Sequence, residues 1–251
     1  MKKKTSEIGA VLITGAAKRI GREVALNLAK MGYDVIISYN KSELAAKNLA
    51  KKITKEFSVR CEIFQCDLQD VKQAKKLADF TKKNFSNWNL LINNASIFNR
   101  SKFLDSIDSE LMINLNLHLI SPLILSQEFA KNVIKKNISN SQIINIVDKN
   151  IARFDTNYFY YLLSKKFLAE FTKMLSLEIA PQTRVNAIAP GFILSEENAE
   201  IRIKNLDQKI PLKKQGEINN IWQTVEFLLN NKFVTGQIIF VDGGASLNHA
   251  G

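Results

Sequence analysis

Tyr161 and Lys165 stand four residues apart in the run Tyr158-Phe159-Tyr160-Tyr161-Leu162-Leu163-Ser164-Lys165. On a helix that spacing puts both side chains on one face, one turn apart. An ammonium beside a phenol favours the phenolate and lowers a pKa that starts near ~10. Such a pair can deliver a proton at neutral pH. The same spacing also describes an ordinary pair on a helix surface, so other features of the chain must decide between the two.

The stretch Thr14-Gly15-Ala16-Ala17-Lys18-Arg19-Ile20-Gly21 follows a short apolar run and opens a helical pattern. Small residues there let a backbone approach a pyrophosphate, and a helix N-terminus offers free N–H groups and positive potential. A tight strand-to-helix turn without a ligand uses the same residues. The next strand ends in Ser38-Tyr39-Asn40-Lys41-Ser42, with a cation and a hydroxyl and no carboxylate. NAD-preferring sites hold the ribose 2′-hydroxyl with an acidic residue near that point. Asn40, Lys41 and Ser42, with Lys18 and Arg19 in reach, instead suit a 2′-phosphate, so the sequence favours NADPH over NADH. Lys41 and Ser42 also read as a solvated residue and the N-cap of the next helix. Asp67-Leu68 and Asn93-Asn94-Ala95-Ser96 fall at the carboxyl ends of two more strands, where ligands bind in parallel sheets. Asp67 reads equally as a helix N-cap.

The elements that must position these residues follow from period and punctuation. Apolar runs predict strands at 10–14, 34–38, 58–66, 89–93, 142–147, 184–188 and 237–241. Amphipathic patterns predict helices at about 19–31, 42–57, 71–85, 109–136, 158–179 and 218–229. Near-continuous apolar strands separated by such helices mean a parallel sheet covered on both faces. Right-handed crossovers then give a doubly wound α/β sheet of about seven strands. With no repeat, Pro-rich linker or low-complexity segment, one domain over 1–251 accounts for the chain, with a flexible start at 1–8.

Hydrophobic residues make up 46% of the 251 and charged residues 24%, so disorder and fibrous architectures are excluded. Apolar runs stay short of the ~18 residues a bilayer span needs. The start, Met1-Lys2-Lys3-Lys4-Thr5-Ser6-Glu7, lacks the apolar core of a signal peptide. These features predict a cytoplasmic protein. Cys61 and Cys66, five apart on one strand, point to opposite faces and do not bridge. No C-x-x-C or His/Cys cluster suggests a metal. The net charge is +11. Its lysines, such as Lys47, Lys51, Lys52 and Lys55, then Lys72, Lys75, Lys76, Lys82 and Lys83, are spread over helix faces, which speaks against nucleic acid as the principal partner.

Taken together, Thr14-Gly15…Gly21, Asn93-Asn94-Ala95-Ser96, Tyr161…Lys165, Pro190-Gly191 and Thr235-Gly236-Gln237…Val241-Asp242-Gly243-Gly244 resemble the short-chain dehydrogenases/reductases in order and spacing, over essentially the whole chain. The resemblance implies a Rossmann-fold NAD(P)(H) oxidoreductase. Tyr161 would be the acid/base, Lys165 would hold the nicotinamide ribose and lower the tyrosine pKa, and Pro190-Gly191 would flank the nicotinamide. Gly15, Lys18, Arg19, Ile20, Asn94, Ala95 and Ser96 would line the cofactor. A homotetramer with the Tyr161 helix at an interface is also implied. Arg19 in place of a common glycine, Ser96 followed by Phe98, and Asp148 where a serine usually stands 13 residues before the tyrosine resemble the pteridine reductase and dihydromonapterin reductase subgroup. In that subgroup the arginine contacts cofactor phosphate and pterin, the phenylalanine stacks on the pterin, and the serine touches both ligands. Those roles fall on Arg19, Phe98 and Ser96.

Asp148 also has a physical reading. A serine hydroxyl stabilises the oxyanion of a reacting ketone by donating a hydrogen bond, whereas an aspartate repels it. Reducing a C=N bond needs a proton on nitrogen, which an aspartate helps to supply through Tyr161 or water. An acceptor carboxylate also suits the amino and ring N–H groups of a pterin. The bland alternative is a helix-capping or salt-bridging aspartate. His118 occupies the slot, four residues before Pro122, where many family members carry asparagine, with Asn114 and Asn116 nearby; it is expected to pack or to bond the backbone. The segment 192–214, with Glu196, Glu197, Arg202 and Lys204, would form the substrate loop. The expected activity is NADPH-dependent reduction of dihydropterins, dihydrofolate included. A 3-oxoacyl-thioester reductase and a non-catalytic NADP- or RNA-binding protein are the alternatives.

Overall fold

Runs rich in valine, leucine and isoleucine, too short for helices, build the centre of the sheet. In the computed structural model, which describes residues 6, 8–105, 108–194 and 209–248, every residue of β1 (Ala10–Ile13), β2 (Asp34–Tyr39), β4 (Trp88–Asn93) and β5 (Ser141–Ile146) is buried. β3 (Cys61–Gln65) and β9 (Ile238–Val241) form the half-exposed edges, and β6 (Thr183–Pro190) is buried apart from Arg184. All seven strands run parallel in the order β3-β2-β1-β4-β5-β6-β9. The chain winds outward one way from β1 and the other way from β4, so the order reverses between them. That is where such sheets open a crevice at their carboxyl ends. The expected doubly wound architecture is the one observed.

Six long helices fill the two faces. Val24 and Leu28 of α1 (Arg19–Lys30), Leu49 and Ile53 of α2 (Glu43–Glu56) and Val225 and Leu228 of α7 (Ile218–Asn230) pack together on one side. On the other side Leu77 of α3 (Val71–Asn84) meets Leu125, Phe129 and Val133 of α5 (Ser121–Lys136), with Leu175 of α6 (Phe159–Glu178) at the margin. Burying each Leu or Phe in these cores contributes about 1.5–3 kcal/mol relative to exposure. Among the described residues no helix is long and apolar enough to cross a membrane.

Two features depart from the expected elements. The single helix expected over 109–136 is α4 (Asp108–Leu115), a π-helical turn over Asn116–Ile120, and α5. Pro122 lies in the first turn of α5 and lacks an N–H, and its ring crowds the carbonyl four residues earlier, which belongs to His118. The helix widens over that turn, and π turns recur at functional sites. The second departure is a two-stranded sheet of β7 (Ile193–Leu194) and β8 (Gly216–Glu217), too short to leave a sequence pattern. It ties together the two ends of the expected substrate loop, whose residues 195–208, including Glu196, Glu197, Arg202 and Lys204, lie outside the described residues. Most of the expected flexible start is also outside them, as is His249. Ser6 within that start donates to the Gly32 carbonyl at 2.5 Å and accepts from Ile8 and Gly9 N–H.

Candidate active site

The carboxyl ends of β1, β2, β4, β5 and β6 surround a cleft of about 730 Å3. At its dinucleotide-like end Gly15, Lys18, Arg19 and Ile20 of the first turn, Asn40, Lys41 and Ser42 after β2, Asp67 and Leu68 after β3, and Asn94, Ala95 and Ser96 after β4 all line the wall. Phe98, Asp148, Tyr161, Lys165, Pro190 and Gly191 complete it. The residues named from the sequence therefore come together along one cleft from seven separated segments.

Close backbone approach explains the small residues. Gly15 has φ +62°, and a Cβ there would lie 2.9 Å from the Ala95 Cα. A Cβ on Gly191 would meet the Asp242 Cα at 2.6 Å. Asp242 in turn accepts from the Gly244 and Ser246 N–H groups, at 2.9 and 2.6 Å. The Asn94 side chain donates to the Thr14 and Gly15 carbonyls at 2.9 and 3.1 Å, and Thr14 Oγ1 accepts from Asn94 and Ala95 N–H. Those bonds lock the β4 loop to the first turn. Arg19 holds φ 51°, a left-handed backbone that a glycine would adopt at less cost.

One capping alternative holds by position and one is corrected. Ser42 is the N-cap of α2, without a side-chain cap bond, and also lines the cleft. The N-cap of α3 is Asp70, which accepts from Lys72 N–H, and not Asp67; Asp67 Oδ1 accepts from Gln69 N–H at 3.0 Å.

The chemical centre lies where β5 ends against α6. Asp148 Oδ1 accepts from Asn150 N–H at 2.7 Å, capping the 3-10 turn Lys149–Ala152, while Oδ2 accepts from the Tyr161 hydroxyl at 2.8 Å. The capping and the chemical readings of Asp148 therefore coexist in its two oxygens. Lys165 is buried and donates to the Ile146 carbonyl at 2.8 Å. Beneath them Asn93 donates to Asn145, and Asn145 to Thr172 of α6, at 2.8 and 2.9 Å. That polar ladder fixes the depth of α6 against the sheet.

The expected lowering of the Tyr161 pKa is overturned. Burial pushes the phenol well above its ordinary value, and the charge and hydrogen bond of Asp148 add to the rise. The Lys165 ammonium faces the Ile146 carbonyl, and burial lowers its pKa to about 8. Tyr161 thus keeps its proton at neutral pH, shared with a carboxylate acceptor.

Phe98 stacks on Tyr158 with centroids 4.3 Å apart and meets Tyr161 edge-on at 4.9 Å. His118 is buried against Tyr161, outside the cleft lining, and accepts a backbone bond from Ile97, so the expected packing and backbone bonding are both present. Cys61 and Cys66 are free thiols; burial pushes both up to about 12, so neither is a nucleophile at neutral pH. Phe192, the first residue of the expected substrate loop, lines the cleft, while the sequence reading missed Lys149 and Gln215 among the lining residues. Lys149 Nζ lies 4.6 Å from the Phe192 ring centroid and donates to Asn150 Oδ1 at 2.6 Å. Lys149 adjoins the motif residue Asp148, which was a usable signal. Gln215 had none, since only the β7–β8 pairing brings it in.

A glycine-turned cleft end joined to a buried Tyr161/Lys165/Asp148 cluster defines an oxidoreductase of the NAD(P)-dependent short-chain class. The family model described as enoyl-(acyl carrier protein) reductase matches residues 15–246, and the chain belongs to the short-chain dehydrogenase/reductase family. It is 30% identical over 254 residues to the 3-oxoacyl-[acyl-carrier-protein] reductase FabG of Staphylococcus epidermidis, covering 94% of this chain and 98% of that protein. It is 28% identical over 240 residues to the dihydromonapterin reductase of an Enterobacter species, covering 95% and 97%. Among solved structures it is similar to FolM alternative dihydrofolate reductase 1 from Brucella canis, complexed with NADP. That likeness has a TM-score of 0.87 at 30% identity and covers 97% of this chain and 96% of that one.

Proposed function

We propose that the protein is a cytoplasmic NADPH-dependent reductase of dihydropterins, acting on dihydrobiopterin or dihydromonapterin with dihydrofolate in range, and forming tetrahydropterins. The observation that carries this reading is the 2.8 Å bond from the Tyr161 hydroxyl to Asp148 Oδ2, where a carbonyl reductase of the resemblance would place a serine hydroxyl. The likeness to a dihydromonapterin reductase and to FolM supports it. The likeness to FabG favours the competing thioester reductase, so the test must separate the two.

The residues present suit a dinucleotide. Gly15 and Gly21 leave no room for a Cβ beside Ala95 and Ala16, and the N-terminus of α1 supplies free N–H groups. Lys18, Arg19, Lys41 and Ser42 would take the phosphates, the 2′-phosphate included. Pro190 and Gly191 would flank the nicotinamide and Lys165 would hold its ribose. When bound, the cofactor supplies the hydride that goes to pterin C6.

The chain's own task is the proton for N5. Tyr161 holds that proton because burial and Asp148 oppose phenolate formation, and it donates the proton as negative charge develops on nitrogen. The Lys165 ammonium, one helical turn away, offsets the phenolate left behind. Asp148 orients the hydroxyl and accepts from pterin N–H groups, Phe98 and Arg19 contact the pterin, and Ser96 lies between the two ligands. We also propose a homotetramer. Met174 and Leu177 on the outer face of α6 are 72% and 82% exposed, the kind of apolar surface a partner subunit covers.

NADPH oxidation measured with dihydrobiopterin, dihydromonapterin, dihydrofolate and an acetoacetyl thioester tests the assignment. Turnover of dihydropterins, with thioester turnover at least about tenfold slower, is expected. Turnover of the thioester alone would discard the pterin assignment while leaving the Tyr161/Lys165 chemistry in place. Salt-sensitive RNA binding without NADPH oxidation on any substrate would replace both readings with a non-catalytic one.

A further inference from the structure

Lys149 is a buried cation of the cleft wall with no role in the chemistry described so far. It opens the 3-10 turn that Asp148 caps, so its backbone is fixed next to the Tyr161 centre. The residue is 8% exposed. Its ammonium donates to Asn150 Oδ1 at 2.6 Å and lies 4.6 Å from the Phe192 ring centroid. Phe192 is itself held, since its carbonyl accepts from the Gly216 N–H of β8 at 2.9 Å. An ammonium has three N–H donors, and among the described residues Asn150 is the only hydrogen-bond acceptor that reaches Lys149.

The nearby carboxylates are engaged elsewhere. Asp148 accepts from the Asn150 N–H and the Tyr161 hydroxyl, Asp155 from the Asn157 backbone and side chain, and Asp242 from the Gly244 and Ser246 N–H groups. Arg153, the other cation near Lys149, turns to the Ala245 and Ser246 carbonyls. Burial prevails over these charges: it lowers the Lys149 pKa, and Arg153 adds to the fall, although the three carboxylates act against it. A buried ammonium in that state gains from any anion that reaches it. In the binding mode proposed above the dinucleotide does not supply one, because its phosphates meet Lys18, Arg19, Lys41 and Ser42 on other segments.

We propose that Lys149 is a specificity-determining residue that binds an anionic group, a carboxylate or a phosphate, carried on the side chain of the dihydropterin. Asp148 serves the N–H groups of the ring, and its neighbour in the chain serves an anion beyond the ring. The burial of Lys149 against Phe192 strengthens that contact, because little water is left to screen it. A neutral dihydropterin lacks the group that Lys149 takes and binds more weakly. The inference rests on the dihydropterin reading and narrows the substrate class within it.

Two matched pairs of substrates test it: 7,8-dihydroneopterin against its 3′-phosphate, and 7,8-dihydropteroate against its methyl ester. Within each pair the reacting ring is the same and the anion is what differs. In the wild-type enzyme kcat/KM is expected to favour the anionic member of at least one pair about tenfold or more, mainly through KM. Which pair shows the preference tells phosphate from carboxylate. In Lys149→Gln the ratio of anionic to neutral member is expected to fall to near one, and in Lys149→Met to do the same. NADPH binding and the melting temperature serve as folding checks for both variants, and the wild-type ratios stand without any variant. Wild-type ratios near one for both pairs, or a preference that survives Lys149→Gln, would sink the inference and leave the dihydropterin reading intact. Absence of turnover on all four compounds refutes that reading and the inference with it, so the two failures are told apart.

Discussion

Two carboxylate oxygens and one phenol carry the centre of this site, and their consequences are measurable one residue at a time. Tyr161→Phe removes the acid while keeping the ring packed against His118 and Phe98. It should lower kcat by about 10²–10⁴-fold and leave NADPH affinity nearly unchanged by fluorescence titration. Lys165 sets the alkaline limb. Its ammonium is the form that offsets a phenolate, and burial brings its pKa to about 8, so kcat/KM should fall as pH rises through that value. A flat profile to pH 10 would remove Lys165 from the role. Arg19 combines a functional charge with a left-handed backbone at φ 51°. Arg19→Gly should leave the melting temperature unchanged or raised, since relief of that strain gains up to about 1 kcal/mol, while the KM for NADPH rises and that for NADH does not. The Tyr161/Lys165 spacing was readable from the chain. The direction of the Tyr161 pKa was not, because it is set first by burial and then by Asp148, 13 positions away, and both come only with the folded chain.

At the scale of elements, charge ties α3 to α5. Glu128 on α5 is 7% exposed and faces Lys75 and Lys82 of α3, with Lys131 on its own helix. The hydrogen bond from Lys82 is the largest cause holding its carboxyl below the usual value of 4.5, with Lys75 acting in the same direction. A carboxyl depressed in the folded state stabilises it at pH values above the unfolded pKa, and that contribution disappears as pH falls through the folded one. Glu128→Gln should therefore lower stability at pH 7 by about 1–2 kcal/mol in urea unfolding and leave a smaller deficit at pH 3. Lys75 and Lys82 read from sequence as part of a solvated face; Lys82 is drawn in against Glu128, its side chain 27% exposed, while Lys75 and the other lysines of α2 and α3 remain solvated. The π turn was hidden for a different reason: the 3.6-residue pattern continues on both sides of it, and a single widened turn shifts the register too little to be seen.

At the scale of the whole molecule, the outer face of α6 and the half-exposed edge strand β9 are the surfaces an assembly would use. Replacing Met174 and Leu177 by glutamate should convert the proposed tetramer to smaller species by light scattering, with NADPH binding retained. A wild-type monomer would end that proposal. The fold sets the terms here, because α6 carries Tyr161 on its inner face and Met174 and Leu177 on its outer one, so the proposed assembly would share one helix with the site.

The order and period of its residues determined the protein's parallel, doubly wound sheet and most of the segments whose ends line the cleft, Gln215 apart. Those properties are local: apolar runs, glycine turns and helix spacing are written along the chain. What tertiary structure alone decided is the electrostatic state of the site. Asp148 accepts the hydrogen bond of a phenol that keeps its proton, Lys165 turns to the Ile146 carbonyl, and the buried His118 ring sits between Ser164 and Ile97. Each of these depends on burial and on partners brought together from distant segments, and neither quantity exists until the chain has folded.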